Sequence, residues 1–541
     1  MRALSILIVS LVLGIVANGA SASTQTLLRW NRIAVDASGL DHTPVAPGED
    51  RVFGEQLGPC RSSRAMAIVH IAMFDSMASV MGGWRSYTGV QAPSGPSSLD
   101  AAISQAAHDT LAALFPSQAE TLGLRLAEDL AEIDEGSGRE NGMDLGQRVA
   151  AAILTLKSND GSEKPDPEMG VEHITSDLPG RWRQDPVSLM PIALGAYWGE
   201  CVPFVLESSS QFRAPPPPDI SSPEYAAAYD DAKRLGGDGV VTSTTRTAEQ
   251  TRIGVYWAYD GTPSLCAPPR LYNQIAIHIA DGMGTEGIEL ARLLALANVA
   301  MADAGMAVWE SKYLYDYWRP VIGIREADPG TGPTGAGDGN PDTAGDPEFL
   351  PLGAPATNLQ GPNFTPPFPA YPSGHAGFGG ALFQTLRHFY GTDDIPFTFV
   401  SDEFNGVTLD NEGNPRPLLP RSFTSLSQAE EENGQSRIYL GIHWSFDKTE
   451  GIIQGRQVAD YVFANALTPI PVIELSGVEG DTVTLRWKTF AGQRYQLEYR
   501  DRLGKGAWLP LGPEVSGDGS TVSTTDSPLQ AHRFYRLLLL D

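Results

Sequence analysis

A chain of 541 residues with 42% hydrophobic content can bury a large core and is long enough for more than one domain. Its formal net charge of -27 argues against nucleic acid and anionic membrane surfaces, both of which call for basic patches. Three cysteines, Cys60, Cys201 and Cys266, lack CxxC spacing and allow at most one disulfide, so neither a disulfide-built fold nor a zinc site is expected.

The N-terminus has the pattern of an export signal: Arg2, an apolar stretch over 4–16 and the small-residue site Ala20-Ser21-Ala22. Cleavage after Ala22 is expected, giving a secreted or periplasmic protein. No later segment reads as a long uninterrupted membrane span. From Ser62 the chain reads as helical, and 64–75 is rich in helix formers and apolar nearly all round, which suits a buried helix. His70 and Asp75 within it read as a hydrogen-bonded core pair. Further helices are expected near 99–114, 118–133 and 145–157.

Pro215 to Pro218 form a stiff connector, and Ser222-Pro223-Glu224 starts a helix with Ser as cap and Pro first. Residues 271–281 and 287–318 continue the helical pattern, the second directing Leu290, Leu293, Leu294, Ala297, Met301 and Trp309 toward a core. Lys312 and Arg319 then fall on its last turns, seven apart, so that both reach one point. Residues 330–346, rich in Gly, Pro and Asp, read as a surface loop. A helix follows Ser373-Gly374-His375 to about Tyr390. A loop-rich acidic insertion over 391–426 comes next, then helices carrying 436–447 and about 451–465.

At Leu467 the composition changes. Six short alternating or β-branched runs, 472–475, 483–487, 495–500, 508–511, 521–525 and 533–540, are separated by Gly, Asp and Ser turns. That is the pattern of a small antiparallel sandwich, and it resembles the fibronectin- or immunoglobulin-like modules appended to exported bacterial enzymes. The expected layout is a signal peptide over 1–22, a helical domain over 23–466 and a β module over 467–541.

Three segments carry chemistry. Pro366-Pro367-Phe368-Pro369-Ala370-Tyr371-Pro372 locks an extended, turning backbone and leads into Ser373-Gly374-His375 and a run of small residues. Such a helix start binds anions through unpaired N–H groups and the macrodipole. Upstream stand Lys312 and Arg319-Pro320; downstream, Ser436-Arg437 is followed by His443 and Asp447. The last two, four apart, are expected as neighbours on one helical face. One Lys, two Arg, two His and an anion-ready turn make a pocket for an oxyanion.

In this order the segments resemble the vanadium-dependent haloperoxidase and type-2 phosphatidic acid phosphatase superfamily, whose motif positions are all present. The chloroperoxidase-like branch is most similar, through Leu352-Gly353-Ala354-Pro355-Ala356-Thr357-Asn358, the stretch from Pro366 to Ala381, Trp257-Ala258-Tyr259-Asp260-Gly261 and Pro268-Pro269-Arg270. The resemblance spans roughly 62–465 and does not reach the β module. It implies a mainly α fold of two packed four-helix bundles with the anion at the end of the second. It implies vanadate as cofactor, hydrogen peroxide and halide as substrates, and small organic acceptors for the halogen.

It also implies roles. His443 ligates the metal, while Lys312, Arg319, Ser373, Gly374 and Arg437 hold the oxygens. His375 is the acid–base partner, Asp260 pairs with Arg437, Asp447 orients His443, and Trp309 and Phe368 wall the halide side. In bromide-specific relatives a His tends to stand where Phe368 does, so Phe368 leans toward chloride competence. The alternative within the superfamily is an acid phosphatase in which His443 attacks phosphorus. The aromatic wall disfavours it, since a phosphatase needs room for a leaving alcohol. A binding protein with a decayed enzyme domain is disfavoured by the intact cationic and His positions.

Overall fold

Hydroxyl side chains set many of the helix starts. Ser98, Ser222, Thr247, Ser373 and Ser425 each accept a hydrogen bond from a backbone N–H of the first turn, satisfying one of its orphan donors. The computed structural model describes residues 16–480, 482–490, 493–502, 507–527 and 533–540. Most of the expected export signal lies outside the described residues. Helices run over Val16–Asp41 (α1), Gly58–Met81 (α2), Leu99–Leu114 (α3), Ala119–Ala131 (α4), Ser137–Leu156 (α5), Pro223–Gly236 (α6) and Ala248–Tyr256 (α7). They continue with Pro268–Gly282 (α8), Gly287–Tyr315 (α9), Pro320–Arg325 (α10), Gly374–Tyr390 (α11), Leu426–Tyr439 (α12) and Ser445–Asn465 (α13). Short strands Phe397–Phe399 (β1) and Arg421–Phe423 (β2) pair antiparallel within the acidic insertion.

The chain divides into two compact units, and the helical one comprises 20–80 and 86–467. Its central rod is α9, buried almost without interruption from Leu290 to Trp309. Helix α11 packs against α9, α12 and α13. The small-residue run after His375 permits that closeness: a Cβ on Gly455 would lie 2.1 Å from the Gly377 carbonyl oxygen. Beneath the start of α13 an aromatic core gathers Tyr225, Tyr229, Trp318, Tyr371, Trp444 and Phe446. Helices α2 and α9 are long and apolar enough to cross a membrane by length and composition alone, but 83% and 100% of those windows are buried inside the protein.

The other unit holds 81–85 and the described residues from 468 on. Its strands are Glu474–Glu479 (β3), Thr482–Lys488 (β4), Arg494–Arg500 (β5), Leu509–Pro510 (β6), Val515–Ser516 (β7), Thr521–Asp526 (β8) and Phe534–Leu540 (β9). One antiparallel sheet has the order β3-β4-β8; in the other, β5 pairs with β6, β7 and β9. Leu485 and Trp487 of the first sheet meet Leu497 of the second in a small core.

Several expectations need correcting. Helices α1 and α7 were not anticipated, although Thr247 and Gln250 spell a capping box at the start of α7. His70 and Asp75 do not pair with each other. His70 meets Met66 O and Asn31 Oδ1, each at 2.7 Å, while Asp75 accepts from Tyr87 N, Thr88 N and Thr88 Oγ1. All three cysteines are free and buried.

Candidate active site

Helix α9 delivers Trp309 and Lys312 and then stops, because Asp316 adopts a left-handed conformation (φ 51°) and Pro320 bars a helical residue before it. Arg319 is therefore the N-cap of α10, not a residue of the last turns of α9. The two cations still converge: the Lys312 ammonium and the Arg319 guanidinium carbon lie 5.0 and 4.9 Å from the Phe368 ring centre. Lys312 Nζ donates to the carbonyls of Pro369 (2.8 Å) and Ala370 (2.9 Å). Arg319 donates to the carbonyls of Phe368 (2.9 Å), Pro366 (3.3 Å) and Ile442 (2.8 Å). The proline-rich strap thus presents a row of carbonyls to the cations, its extended backbone having no helical use for them.

At the strap's end Ser373 caps α11, and its own N–H donates to Asp447 O at 2.9 Å. Gly374 follows against Trp309, whose ring carbons would stand 3.0 and 3.1 Å from any added Cβ. The backbone therefore approaches the site more closely than a side chain would allow. His375 is pinned from both sides. Its carbonyl accepts from Tyr272 OH and Asn433 Nδ2, each at 2.9 Å, and its Nε2 meets Ala258 O at 2.6 Å. That contact places the ring proton on Nε2 and the lone pair on Nδ1. Burial, together with Arg437, holds the imidazole well below its ordinary titration range.

Arg437, in the last turn of α12, gives one nitrogen to both oxygens of Asp260, at 2.8 and 2.9 Å. Its Nε and Nη1 are buried with no hydrogen-bond partner. His443 and Asp447 meet as expected, but not on one helical face. The chain leaves helix at Tyr439, Gly441 takes φ 71°, and α13 begins only at Ser445. Asp447, third residue of α13, reaches back to accept from Trp444 N (3.0 Å) and from His443 Nδ1 (2.8 Å). With its proton on Nδ1, His443 offers the lone pair of Nε2, which accepts from Arg319 at 2.9 Å. Burial and the cations Arg319 and Lys312 keep this imidazole neutral, far below its usual range.

Asp260, Trp309, Phe368, Gly374, His375, Arg437 and His443 line one cavity of about 450 Å³. Lys312, Arg319, Ser373 and Asp447 are at most 1% exposed and join the same cluster through the bonds above. Every site residue anticipated from the sequence is thus brought to one place. Burial and the neighbouring Arg319 push Lys312 far below its ordinary range, and burial brings Arg319 to about 9. Burial also pushes Asp447 up to about 7. Among the described residues no three His, Cys, Asp or Glu side chains are set to chelate a metal ion. The site offers two imidazole lone pairs, on His443 Nε2 and His375 Nδ1, with Lys312, Arg319 and Arg437 and two unpartnered arginine donors, a set suited to an oxyanion.

One layer was not foreseen. Glu403, from the acidic insertion, is fully buried and accepts from Arg416, from Thr357 Oγ1 (2.8 Å) and from Tyr259 N (3.3 Å). It thereby holds the turn that carries Ala258 and Asp260. No local pattern marks a buried glutamate inside an acidic loop.

A family model, the VCPO second helical-bundle domain, matches residues 292–470. The chain is 33% identical over 509 residues to vanadium chloroperoxidase of Curvularia inaequalis, covering 79% of each protein. Among solved structures it is similar to the first bacterial vanadium-dependent iodoperoxidase, with TM-score 0.63, 23% identity, and 82% and 97% of the two chains covered. It is also similar to a holo-type bacterial vanadium-dependent chloroperoxidase, with TM-score 0.56, 16% identity, and 78% and 94% covered.

Proposed function

The chain belongs to the vanadium haloperoxidase family, with vanadate as its cofactor, and on that premise we propose that it is an exported enzyme oxidising halide with hydrogen peroxide to hypohalous acid. Bromide and iodide are its substrates, and Phe368 in the wall extends the range to chloride. Export rests on the N-terminal pattern of 1–22. We read 23–466 as two packed four-helix bundles, α9, α11, α12 and α13 forming the second by their mutual packing, and 467–541 as the appended β module.

The observation that carries the reading is the pair of unpartnered buried donors on Arg437, which lines the same cavity as His443 with its Nε2 lone pair. His443 would ligate vanadium, and Lys312, Arg319, Arg437, Ser373 and the Gly374 amide would hold the oxyanion. Bound vanadate supplies Lewis-acid activation of peroxide without a change of oxidation state. The Nδ1 lone pair of His375 takes a proton from incoming peroxide, and the imidazolium so formed has Asp260 Oδ1 4.0 Å from Nε2. Asp447 fixes the His443 tautomer. Trp309 and Phe368, with ring centres 4.8 Å apart, strip water from the halide.

The phosphatase alternative uses the same cradle and is decided by one experiment. Metal-free protein should gain bromide oxidation on addition of vanadate, and phosphate should block that gain competitively. Fast hydrolysis of phosphomonoesters by the metal-free protein, with no halogenation after vanadate and peroxide, would establish the phosphatase instead.

A further inference from the structure

His443 stands in a stretch, 440–444, that belongs to neither α12 nor α13, so no regular helical ladder fixes it. Its backbone is held from outside. Arg319 donates to Ile442 O, and Gly353 N, from the 352–358 motif, donates to Leu440 O at 2.8 Å. The third hold is Arg246, which does not line the cavity. Its Nη1 donates to the carbonyls of Leu235, Gly237 (2.8 Å) and Tyr439 (3.0 Å), and its Nε donates to Thr251 Oγ1 at 2.9 Å. Leu235 and Gly237 lie at the end of α6, and Tyr439 is the last residue of α12. One guanidinium thus closes two helix C-termini, where the last carbonyls lack helical partners and the macrodipole favours a cation. The two ends abut: a Cβ on Gly441 would stand 2.5 Å from the Gly236 carbonyl oxygen, which accepts from Leu352 N at 2.8 Å. The turn before His443 is therefore seated on the end of α6.

We propose that Arg246 is a positioning residue for His443: by tying the end of α12 to the end of α6, it sets where the Nε2 lone pair points. The proposal rests on His443 as the vanadium ligand and names the group that aims it. A ligand bond depends steeply on direction and distance, and the contacts around a metal-binding imidazole govern both. The attraction between cations and an oxyanion falls off only slowly with distance. Loosening the turn should therefore weaken the bond from His443 to the metal and spare the ionic hold of Lys312, Arg319 and Arg437.

The test compares vanadate with phosphate, which meets the same cations without a lasting bond to His443. Calorimetry on metal-free full-length protein measures both affinities at a temperature where the variants are folded. Wild-type protein should bind vanadate more tightly than phosphate. Arg246→Met should weaken vanadate binding about tenfold, the scale of a lost supporting contact around a metal ligand, and phosphate binding by no more than about twofold. Thr251→Val removes only the oxygen that steadies Arg246 Nε and should shift the ratio the same way by about threefold. That variant decides the matter where Arg246→Met does not fold. A ratio unchanged in the folded variants, with or without a lower unfolding temperature, would make Arg246 a helix staple and overturn the proposal alone. Wild-type protein that held the two anions equally would remove His443 as the vanadium ligand, and the proposal with it.

Discussion

Helix α11 begins at the oxyanion cradle and ends near a second group of charges, gathered about the buried Glu430 of α12 with Arg456 from α13. At that far end Glu430, 1% exposed, accepts from Arg387 and Arg456, and Arg387 also donates to Asp393 at 2.6 Å. Each arginine there meets a carboxylate. At the near end Arg437 meets one carboxylate and keeps two donors idle, while Lys312 and Arg319 meet carbonyls. Carbonyls are dipoles and leave most of a cation's charge uncompensated. The paired end fastens helices; the underpaired end is an anion site whose cost the rest of the fold sustains.

Replacing the histidines at the two ends should separate them most sharply. His443→Ala removes the imidazole that would ligate vanadium and should abolish vanadate retention on a desalting column. His375→Ala should retain vanadate and lose at least about a hundredfold in turnover, as expected for a lost general acid–base. His388, which pairs with Asp460 on the surface at 2.6 Å, should tolerate alanine in both assays. Equal vanadate release from the His443 and His375 variants would defeat the role assignment.

The arginines should differ in their effect on vanadate. Arg437→Gln removes charge-assisted donors and should weaken vanadate binding by about a hundredfold or more, and it also lowers stability by leaving the buried Asp260 carboxylate without its ion-pair partner. Arg387→Gln leaves Glu430 with Arg456 alone and should cost about 2 kcal/mol of stability, while vanadate affinity and turnover per folded molecule stay constant. Unchanged vanadate affinity in the Arg437 variant would mean that the near end is structural after all.

A smaller effect sits on Lys312. Burial and Arg319 hold its ammonium well below the usual lysine range in the free protein, and an anion beside it favours the charged form. Binding should therefore take up protons, and affinity should fall as pH rises through the free-protein titration of Lys312. Calorimetry of vanadate binding in buffers of different ionisation heat measures that uptake. Lys312→Met should reduce it.

The sequence disclosed the near end because its residues are chemically unusual at fixed spacings: Lys312 to Arg319, Ser373-Gly374-His375, Arg437 to His443 to Asp447. It misplaced the backbone under them. Spacing of seven suggested one helix for Lys312 and Arg319, but Asp316 and Pro320 break it, and the shared target is set by packing on Phe368. Spacing of four suggested a helical face for His443 and Asp447, yet the contact comes from a capping carboxylate reaching backward. The far end and Glu403 went unread because a buried Glu and an exposed Glu look alike in one sequence. Only tertiary packing separates them.

Glu403 tests whether the insertion over 391–426 supports the cradle or merely decorates it. Asp402 N donates to Tyr259 OH at 2.6 Å and Glu403 accepts from Tyr259 N, so two insertion residues grip a turn whose Tyr259 holds φ 44°. That turn supplies the Ala258 carbonyl for His375 and the Asp260 carboxylate for Arg437. Burial outweighs the pull of Arg416 and raises the Glu403 carboxyl from 4.5 to about 7. The folded state therefore binds more protons than the unfolded one between those values, and wild-type stability should fall as pH rises through that window. Glu403→Gln keeps the shape, cannot titrate, and should show a shallower fall when unfolding is followed from about pH 4.5 to 7. The remaining slope comes from Asp447 and Asp316, raised to about 7 and about 6. Its turnover should drop less than about tenfold, through loosened His375, with vanadate retention unchanged. Parallel stability curves for the two proteins would show that the Glu403 proton does not differ between folded and unfolded chain, and unaltered turnover would release the insertion from any part in the site.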